Sequence, residues 1–396
     1  MINTENEADR IIRMVRENLD LYSDNDEKGI KELIAETVIR ETSGKAFGHK
    51  ERENLCKTVF DSIRRLDILQ ELIEDDSVSE IMVNGYDKIF VERNGKITKW
   101  SKAFSSKQKL EDVIQQIVSL SNRVVNESEP IADARLPDGS RANVVLSPTA
   151  LNGPILTIRK FLGEVMTLEA MTGLGSLSAE AAEFLKQAVQ KGYNIFISGG
   201  TSSGKTTMLN ALSICIPPDE RVVTIEDSAE LKLNSIDNLV TLETRNVNAS
   251  GCSAITIRDL IKASLRMRPD RIVIGEVRGS EVVDMLQALN TGHEGSLSTG
   301  HANSCADMIT RMEAMYLQGI EMPTEAIRRQ IASGIDIMVH LERGRDGKRR
   351  VVEICELNGL MKSQVVLRTL YEEVTTNGVR KLVKINELSN TEKMNK

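Results

Sequence analysis

The sequence predicts an α/β protein in which strands and helices alternate over a largely parallel sheet, preceded by a smaller mixed α/β unit and an N-terminal helical segment. Three observations carry this expectation. Early apolar residues fall at helical spacing: Ile11, Met14, Val15 and Leu19, then Ile30, Leu33 and Ile34, then Leu55, Val59 and Ile63. After Glu74 the pattern changes to short strand-like runs at 81–83 and 89–93, the second closed by the turn Asn94-Gly95. In the C-terminal half, apolar runs at 194–198, 222–226, 272–274 and 296–299 are interleaved with helical segments near 206–215, 257–265 and 282–289, which implies parallel strands covered by helices.

At roughly 150 residues per domain, 396 residues allow two or three units. The expected boundaries are 1–69 for the helical segment, 70–162 for the mixed unit, 163–178 for a glycine-bearing linker (Gly163, Gly173, Gly175) and 179–396 for the alternating domain. The mixed unit should hold a helix near 110–120, the turn Leu136-Pro137-Asp138-Gly139, and strands near 142–146 and 155–158. Runs at 351–355 and 365–370 suggest a closing antiparallel hairpin, and the polar tail 388–396 is expected to fray.

Composition excludes several classes. Fifty-one basic against 58 acidic residues leave a net charge of −7, which disfavours a surface built as a nucleic-acid footprint. Aromatics are 3% of the chain and Trp100 is the sole tryptophan, which disfavours a base-stacking platform. No apolar run approaches the 18 or so residues of a membrane span, and the acidic, mixed start is unlike a secretory signal, so the expected location is cytoplasmic. The five cysteines (Cys56, Cys215, Cys252, Cys305, Cys355) form no CxxC pair and read as ordinary reduced thiols.

Gly199-Gly200-Thr201-Ser202-Ser203-Gly204-Lys205-Thr206 satisfies G-x-x-x-x-G-K-[ST] between an expected strand and an expected helix. Backbone N–H groups of such a loop cradle phosphate oxygens, Lys205 neutralises the terminal phosphates, and the Thr206 hydroxyl is placed to ligate Mg²⁺, with Thr207 next to it in the helix. A bound nucleotide then needs a group to orient water. Glu226 ends one expected strand and Glu276 another, where one acid can act on water and the other support Mg²⁺ through its hydration shell. An isolated strand-end acid is more often a solvated terminus, so the pair gains force from the cradle.

His293 and His301 bracket a strand-like run and are candidate phosphate contacts; the plain alternative for each is a hydrogen-bonded turn residue. His301-x-x-x-Cys305 has metal-ligand spacing, but no further ligands cluster nearby in the sequence. Arg135, Arg141 and Arg159, outside the nucleotide domain, are candidate arginine fingers, or else line a solvated face or pair with Asp133 or Asp138. The charged run Arg266 to Arg271 is either a subunit-facing edge or a charged loop.

Four motifs in order resemble the secretion ATPases of type II and type IV systems, and most closely the CpaF-type ATPases of tight-adherence (Flp) pilus assembly. They are the Walker A loop at Gly199 to Thr206, the aspartate box Thr224-Ile225-Glu226-Asp227-Ser228-Ala229-Glu230-Leu231, the Walker B variant Gly275-Glu276-Val277-Arg278-Gly279, and the histidine box from Thr291 to His301. Upstream, Val78 to Gly85 and Asp133 to Arg141 are similar to the same branch.

The resemblance implies a RecA-like P-loop NTPase domain, a preceding mixed α/β domain, and a hexameric ring with ATP between the two domains. Glu226 becomes the water-polarising base, Glu276 the Mg²⁺-side acid, His293 and His301 phosphate contacts, and the three arginines fingers. Gly275 stands where many nucleotidases place Asp, and the four-cysteine zinc element of extension-type pilus ATPases is absent. The implied partners are the inner-membrane platform proteins of a pilus or secretion system, met at the cytoplasmic face. Two rival readings stay open: a DNA translocase or conjugation-type ATPase on the same fold, and a nucleotide-switched scaffold without net hydrolysis.

Overall fold

In the computed structural model, residues 4–18, 27–93, 95–121, 124–160, 166–245, 253–376 and 378–395 are described. Three helices, α1 (Thr4–Arg16), α2 (Glu27–Thr42) and α3 (His49–Arg64), bury one stripe each into a shared core of Ile11, Val15, Ile30, Ile34, Val38 and Val59. The first turn of α3 is closed by the Gly48 N–H, which donates to Glu51 Oε2 at 2.7 Å. A short helix α4 (Gln70–Glu74) leads into β1 (Val78–Asn84), β2 (Ile89–Arg93), β3 (Lys96–Lys99), α5 (Lys107–Ser119), β4 (Ile131–Arg135), β5 (Arg141–Val145) and β6 (Ile155–Arg159).

These strands make an antiparallel sheet in the order β3-β2-β1-β6-β5-β4. Strand alternation sends Ile81, Val83, Ala142, Val144, Leu156 and Ile158 into a core shared with Leu110, Ile114 and Ile117 of α5. Helix α5 starts where the Ser106 hydroxyl accepts the Lys109 N–H. It is also tied to the end of α3, Lys109 Nζ donating to Ser62 Oγ at 2.6 Å and Gln116 Nε2 to the Arg64 carbonyl at 3.3 Å. Met1–Leu162 accordingly forms one compact unit and Gly163–Lys396 a second.

The second unit opens with α6 (Leu168–Gly173) and α7 (Ala179–Gln190). Here the expected linker differs from the structure: Leu168, Met171 and Leu177 are buried in the core of the second unit, so the chain from Leu168 onward is part of that domain. There follow β7 (Ile195–Gly199), α8 (Lys205–Ser213), β8 (Val222–Glu226), β9 (Leu239–Glu243), α9 (Ile257–Ser264), β10 (Arg271–Val277), α10 (Val282–Leu289), β11 (Leu297–Gly300), α11 (Cys305–Gly319), α12 (Thr324–Gly334), β12 (Ile337–Arg343), β13 (Arg349–Met361), β14 (Gln364–Thr376) and β15 (Val379–Lys384).

The nine strands form one sheet, β15-β14-β13-β12-β7-β11-β10-β8-β9, parallel from β12 to β9 and antiparallel from β12 to β15. Both faces of the parallel part are covered. Ile195, Ile197 and Val339 pack with Leu185, Leu209 and Leu212 on one side, while Phe196, Ile225, Ile274 and Met338 pack with Leu286, Met308 and Ile331 on the other. β7, buried along its whole length, lies between β12 and β11, so the loop after it leaves from the middle of the parallel sheet.

The tail does not fray over residues 389–393. Buried Glu356 accepts the Ser389 N–H (2.9 Å), the Ser389 hydroxyl (2.6 Å) and the Asn390 N–H (2.6 Å). Tyr193 Oη donates to the Asn390 carbonyl and Lys393 Nζ pairs with Asp336, both at 2.8 Å. Arg271 likewise departs from the subunit-edge alternative: its side chain is 3% exposed, paired with Glu220 and donating to the Val189 carbonyl inside the domain.

Candidate nucleotide site

Strand β7 ends at Gly199, and the chain turns through Ser202 (φ 58°) and Gly204 (φ 101°) before Lys205 starts α8. Two glycines are required sterically. A Cβ at Gly199 would fall 2.5 Å from Ser203 Oγ and 2.6 Å from the Leu341 carbonyl, and Gly204 caps α8 in the left-handed region. Gly200, by contrast, has nothing within 4 Å of its would-be Cβ. The loop therefore places the N-terminus of α8, with Thr206 and Thr207 in its first turn, at the carboxyl edge of the sheet.

Lys205 is buried, and its Nζ donates to the Gly199 and Gly200 carbonyls at 3.2 and 3.0 Å. The ammonium thus already sits in the mouth of the loop. It also lies 3.2 Å from His301 Nδ1, while His301 Nε2 is 2.7 Å from Glu276 Oε1. The second oxygen of Glu276 accepts from Arg278 Nε and Nη2 at 2.9 and 2.6 Å, and Arg278 Nη1 reaches Asp227 at 3.3 Å. A continuous charged chain, Lys205–His301–Glu276–Arg278–Asp227, runs across the ends of β7, β11, β10 and β8.

Partial burial pushes the His301 pKa below its ordinary value; the neighbouring Lys205 and Arg278 cations add to this, against the opposing pull of Glu276. A neutral ring lets Nδ1 accept from the lysine, while Nε2 stands close to the carboxylate oxygen without the alignment of a hydrogen bond.

Glu226, 3% exposed at the end of β8, does something else. Its Oε1 accepts the Glu230 and Leu231 N–H groups at 2.9 and 3.2 Å, so the carboxylate pins the turn after its own strand. Its side chain lies over Gly275, where a Cβ would approach Cγ to 3.0 Å. Glycine at the Walker B position is thus what lets Glu226 occupy this place. Asn210 of α8 holds the same turn, accepting the Lys232 N–H at 3.0 Å.

His293 is not brought to the loop. It precedes β11 at the amino edge of the parallel sheet, with Nδ1 3.1 Å from the Ala288 carbonyl and its own carbonyl accepting the Ser296 hydroxyl. The phosphate loop and His301 follow the carboxyl ends, so of the two histidines only His301 shares the site, and His293 is the turn residue of the plain alternative.

The three arginines lie in the first unit as a single row. Arg135 is directly opposite Arg141, and Arg141 directly opposite Arg159, with Glu80 next across β1. Residues directly opposite share a face, and it is the face away from the buried Ala134, Ala142 and Ile158. Asp138 is engaged by Ser140 and Asp133 by Asn143.

Two site residues escaped the sequence reading. Arg349 of β13 donates to the Ser202 carbonyl at 3.1 Å and so braces the loop from the antiparallel side. Buried His340, paired with Ser198 across β12 and β7, holds the Ser198 hydroxyl at 2.8 Å through Nδ1. Neither carries a local motif; both are set by strand register.

A phosphate loop rising from the middle of a parallel sheet, with acids on neighbouring strand ends, defines a RecA-like P-loop domain, here preceded by a smaller mixed α/β domain and an N-terminal helical segment. The chain belongs to the type II/IV secretion system protein family, whose profile matches residues 64–393. It is 34% identical over 325 residues to the type IV secretion system protein PtlH of Bordetella pertussis, covering 74% of this chain and 95% of that protein. It is 31% identical over 290 residues to the conjugal transfer protein TrbB of Rhizobium radiobacter, covering 72% of this chain and 86% of that one. In fold it is similar to the ATPase DotB of Yersinia pseudotuberculosis (TM-score 0.55, 18% identity, 78% of this chain and 80% of that chain). It is also similar to the pilus retraction motor PilT with bound ADP (TM-score 0.53, 19% identity, 83% and 86%). The chain is thus a member of the type II/IV secretion ATPase superfamily. Among the described residues no helix is long and apolar enough to cross a membrane.

Proposed function

We propose that this chain hydrolyses ATP as a homo-hexameric motor that acts on the membrane-embedded platform of a pilus or secretion system from its cytoplasmic face. The observation that carries the reading is the charged chain from Lys205 through His301 to Glu276 at the mouth of the phosphate loop. It couples the cation that meets the terminal phosphates to two other strand ends, so a change at the phosphate is felt across the sheet edge.

Lys205 exchanges the loop carbonyls for phosphate oxygens as the nucleotide enters. His301 Nδ1, released from the ammonium, becomes a phosphate contact once it carries a proton to donate. Glu226 is the candidate base, a carboxylate whose Oε1 is oriented by the Glu230 and Leu231 N–H groups and whose remaining lone pairs can receive a proton from water. The Thr206 hydroxyl and the Glu276 carboxylate, two hard oxygen donors at one edge, suit Mg²⁺, the carboxylate acting through water. When bound, that ion neutralises charge on the transferred phosphoryl group. Arg135, Arg141 and Arg159 stand side by side on one face of their sheet, a concentration of guanidinium groups that suits a role as arginine fingers.

Lys205→Ala should abolish phosphate release from Mg-ATP while leaving the far-ultraviolet circular dichroism spectrum unchanged; undiminished turnover defeats the proposal. The likeness to a conjugal transfer protein favours one second reading, a DNA-handling motor on the same site. Strong, salt-sensitive acceleration of turnover by DNA would select it.

A further inference from the structure

Away from the phosphate loop, α11 and β13 bring together three side chains that lie far apart in sequence. Cys305 is the first residue of α11, and Glu353 and Cys355 stand two apart on β13. Both cysteines are fully buried at 0% exposure. One ligand atom from each of the three residues lies within 4.8 Å of the other two. Cys355 Sγ is 3.1 Å from Glu353 Oε1, and the other oxygen, Oε2, accepts the Cys305 N–H at 3.4 Å. The Thr369 hydroxyl of β14 lies 3.8 Å from Cys355 Sγ.

We propose that Cys305, Glu353 and Cys355 form a binding site for zinc or a like soft divalent cation, distinct from the Mg²⁺ expected beside Thr206. Two sulfurs and one carboxylate oxygen are a donor set that zinc takes readily and magnesium does not. With bonds of about 2.3 Å to sulfur and about 2.0 to 2.2 Å to oxygen, donors around a tetrahedral ion stand roughly 3.3 to 3.8 Å apart. The thiol–carboxylate pair, at 3.1 Å, stands slightly inside that spacing and the three ligand atoms within 4.8 Å of one another, so rotamer adjustments would bring the donors to it.

The Cys305 N–H on Glu353 and the Thr369 hydroxyl beside Cys355 orient the ligands from behind, as outer groups do in known sites. On binding, each thiol gives its proton to solvent, and no electron changes hands. Three protein ligands leave a fourth position for water. The N-terminal end of α11 offsets part of the excess negative charge of two thiolates and a carboxylate around a divalent ion. The ion would clamp the start of α11, four residues after His301, to β13.

The test uses reduced, full-length protein without nucleotide, titrated with Co²⁺. One equivalent should develop a thiolate-to-cobalt charge-transfer band with tetrahedral visible bands, and Zn²⁺ should displace it. Cys305→Ser and Cys355→Ser should each abolish the one-equivalent endpoint, and Glu353→Gln should weaken binding by about 10-fold or more. A cobalt spectrum without the thiolate band, or a band that survives in the double cysteine variant, overturns the site. X-ray absorption of the zinc-loaded wild type, which needs no variant to fold, should count two sulfur neighbours; none or four also overturns it.

Discussion

Glu226 and Glu276 show how two strand-end acids of one type acquire different work. Glu276 faces a histidine and an arginine through its two oxygens and is the node of a charged chain, whereas Glu226 is held by backbone N–H groups of its own following turn. Their spacing in sequence anticipates neither arrangement; Gly275, by having no side chain, settles the second. His340 offers a residue-scale test of pH dependence. Burial holds its pKa below the ordinary value, so the folded state favours the neutral ring accepting from Ser198. An unfolded histidine titrates near about 6.5, so the stability His340 contributes is present above that pH and is lost as pH falls below it toward the folded value. Urea midpoints measured from neutral to mildly acidic pH should therefore decline less steeply in His340→Asn than in the wild type. Equal slopes would show that this imidazole is not the titrating group.

At the scale of elements, the expected strands at 194–198, 222–226 and 272–274 lie within or beside β7, β8 and β10, because a parallel strand covered on both faces is a plain apolar run. β9, a half-exposed edge strand, is not among the expected strands. The tail misled for a related reason: its polar residues read as solvated, yet they are polar because they satisfy buried Glu356. Deleting residues 389–396 strips that carboxylate of several charge-assisted hydrogen bonds, each worth about 1.5 to 3 kcal/mol. Chemical denaturation should show a loss of about 3 kcal/mol or more, and Glu356→Gln in the truncated chain should recover part of it. A truncated chain as stable as the full one would mean the tail contributes nothing.

For the whole molecule, each of the two units carries its own core; the phosphate loop lies in one and the arginine row in the other. If the row acts on the terminal phosphate, single Arg→Ala changes at 135, 141 or 159 should lower turnover by up to about 10³ to 10⁵ while nucleotide affinity changes little. Single-turnover and equilibrium binding measurements separate the two effects; equal losses in both would make the row a binding surface instead. Light scattering with a non-hydrolysable ATP analogue should report a six-fold assembly, and a monomer under all conditions would argue against the ring.

The sequence by itself determined the α/β class and the phosphate-loop motif, and it offered Glu226, Glu276 and two histidines as candidates, because each rests on neighbours a few residues apart whose geometry the backbone fixes locally. Only the tertiary structure decided that His301 and not His293 joins Lys205, that His340 and Arg349 brace the loop strand, and that Cys305 meets Cys355. Those meetings span up to 147 positions, and they exist because strand register and helix packing, which act between distant segments, choose which side chains share a face.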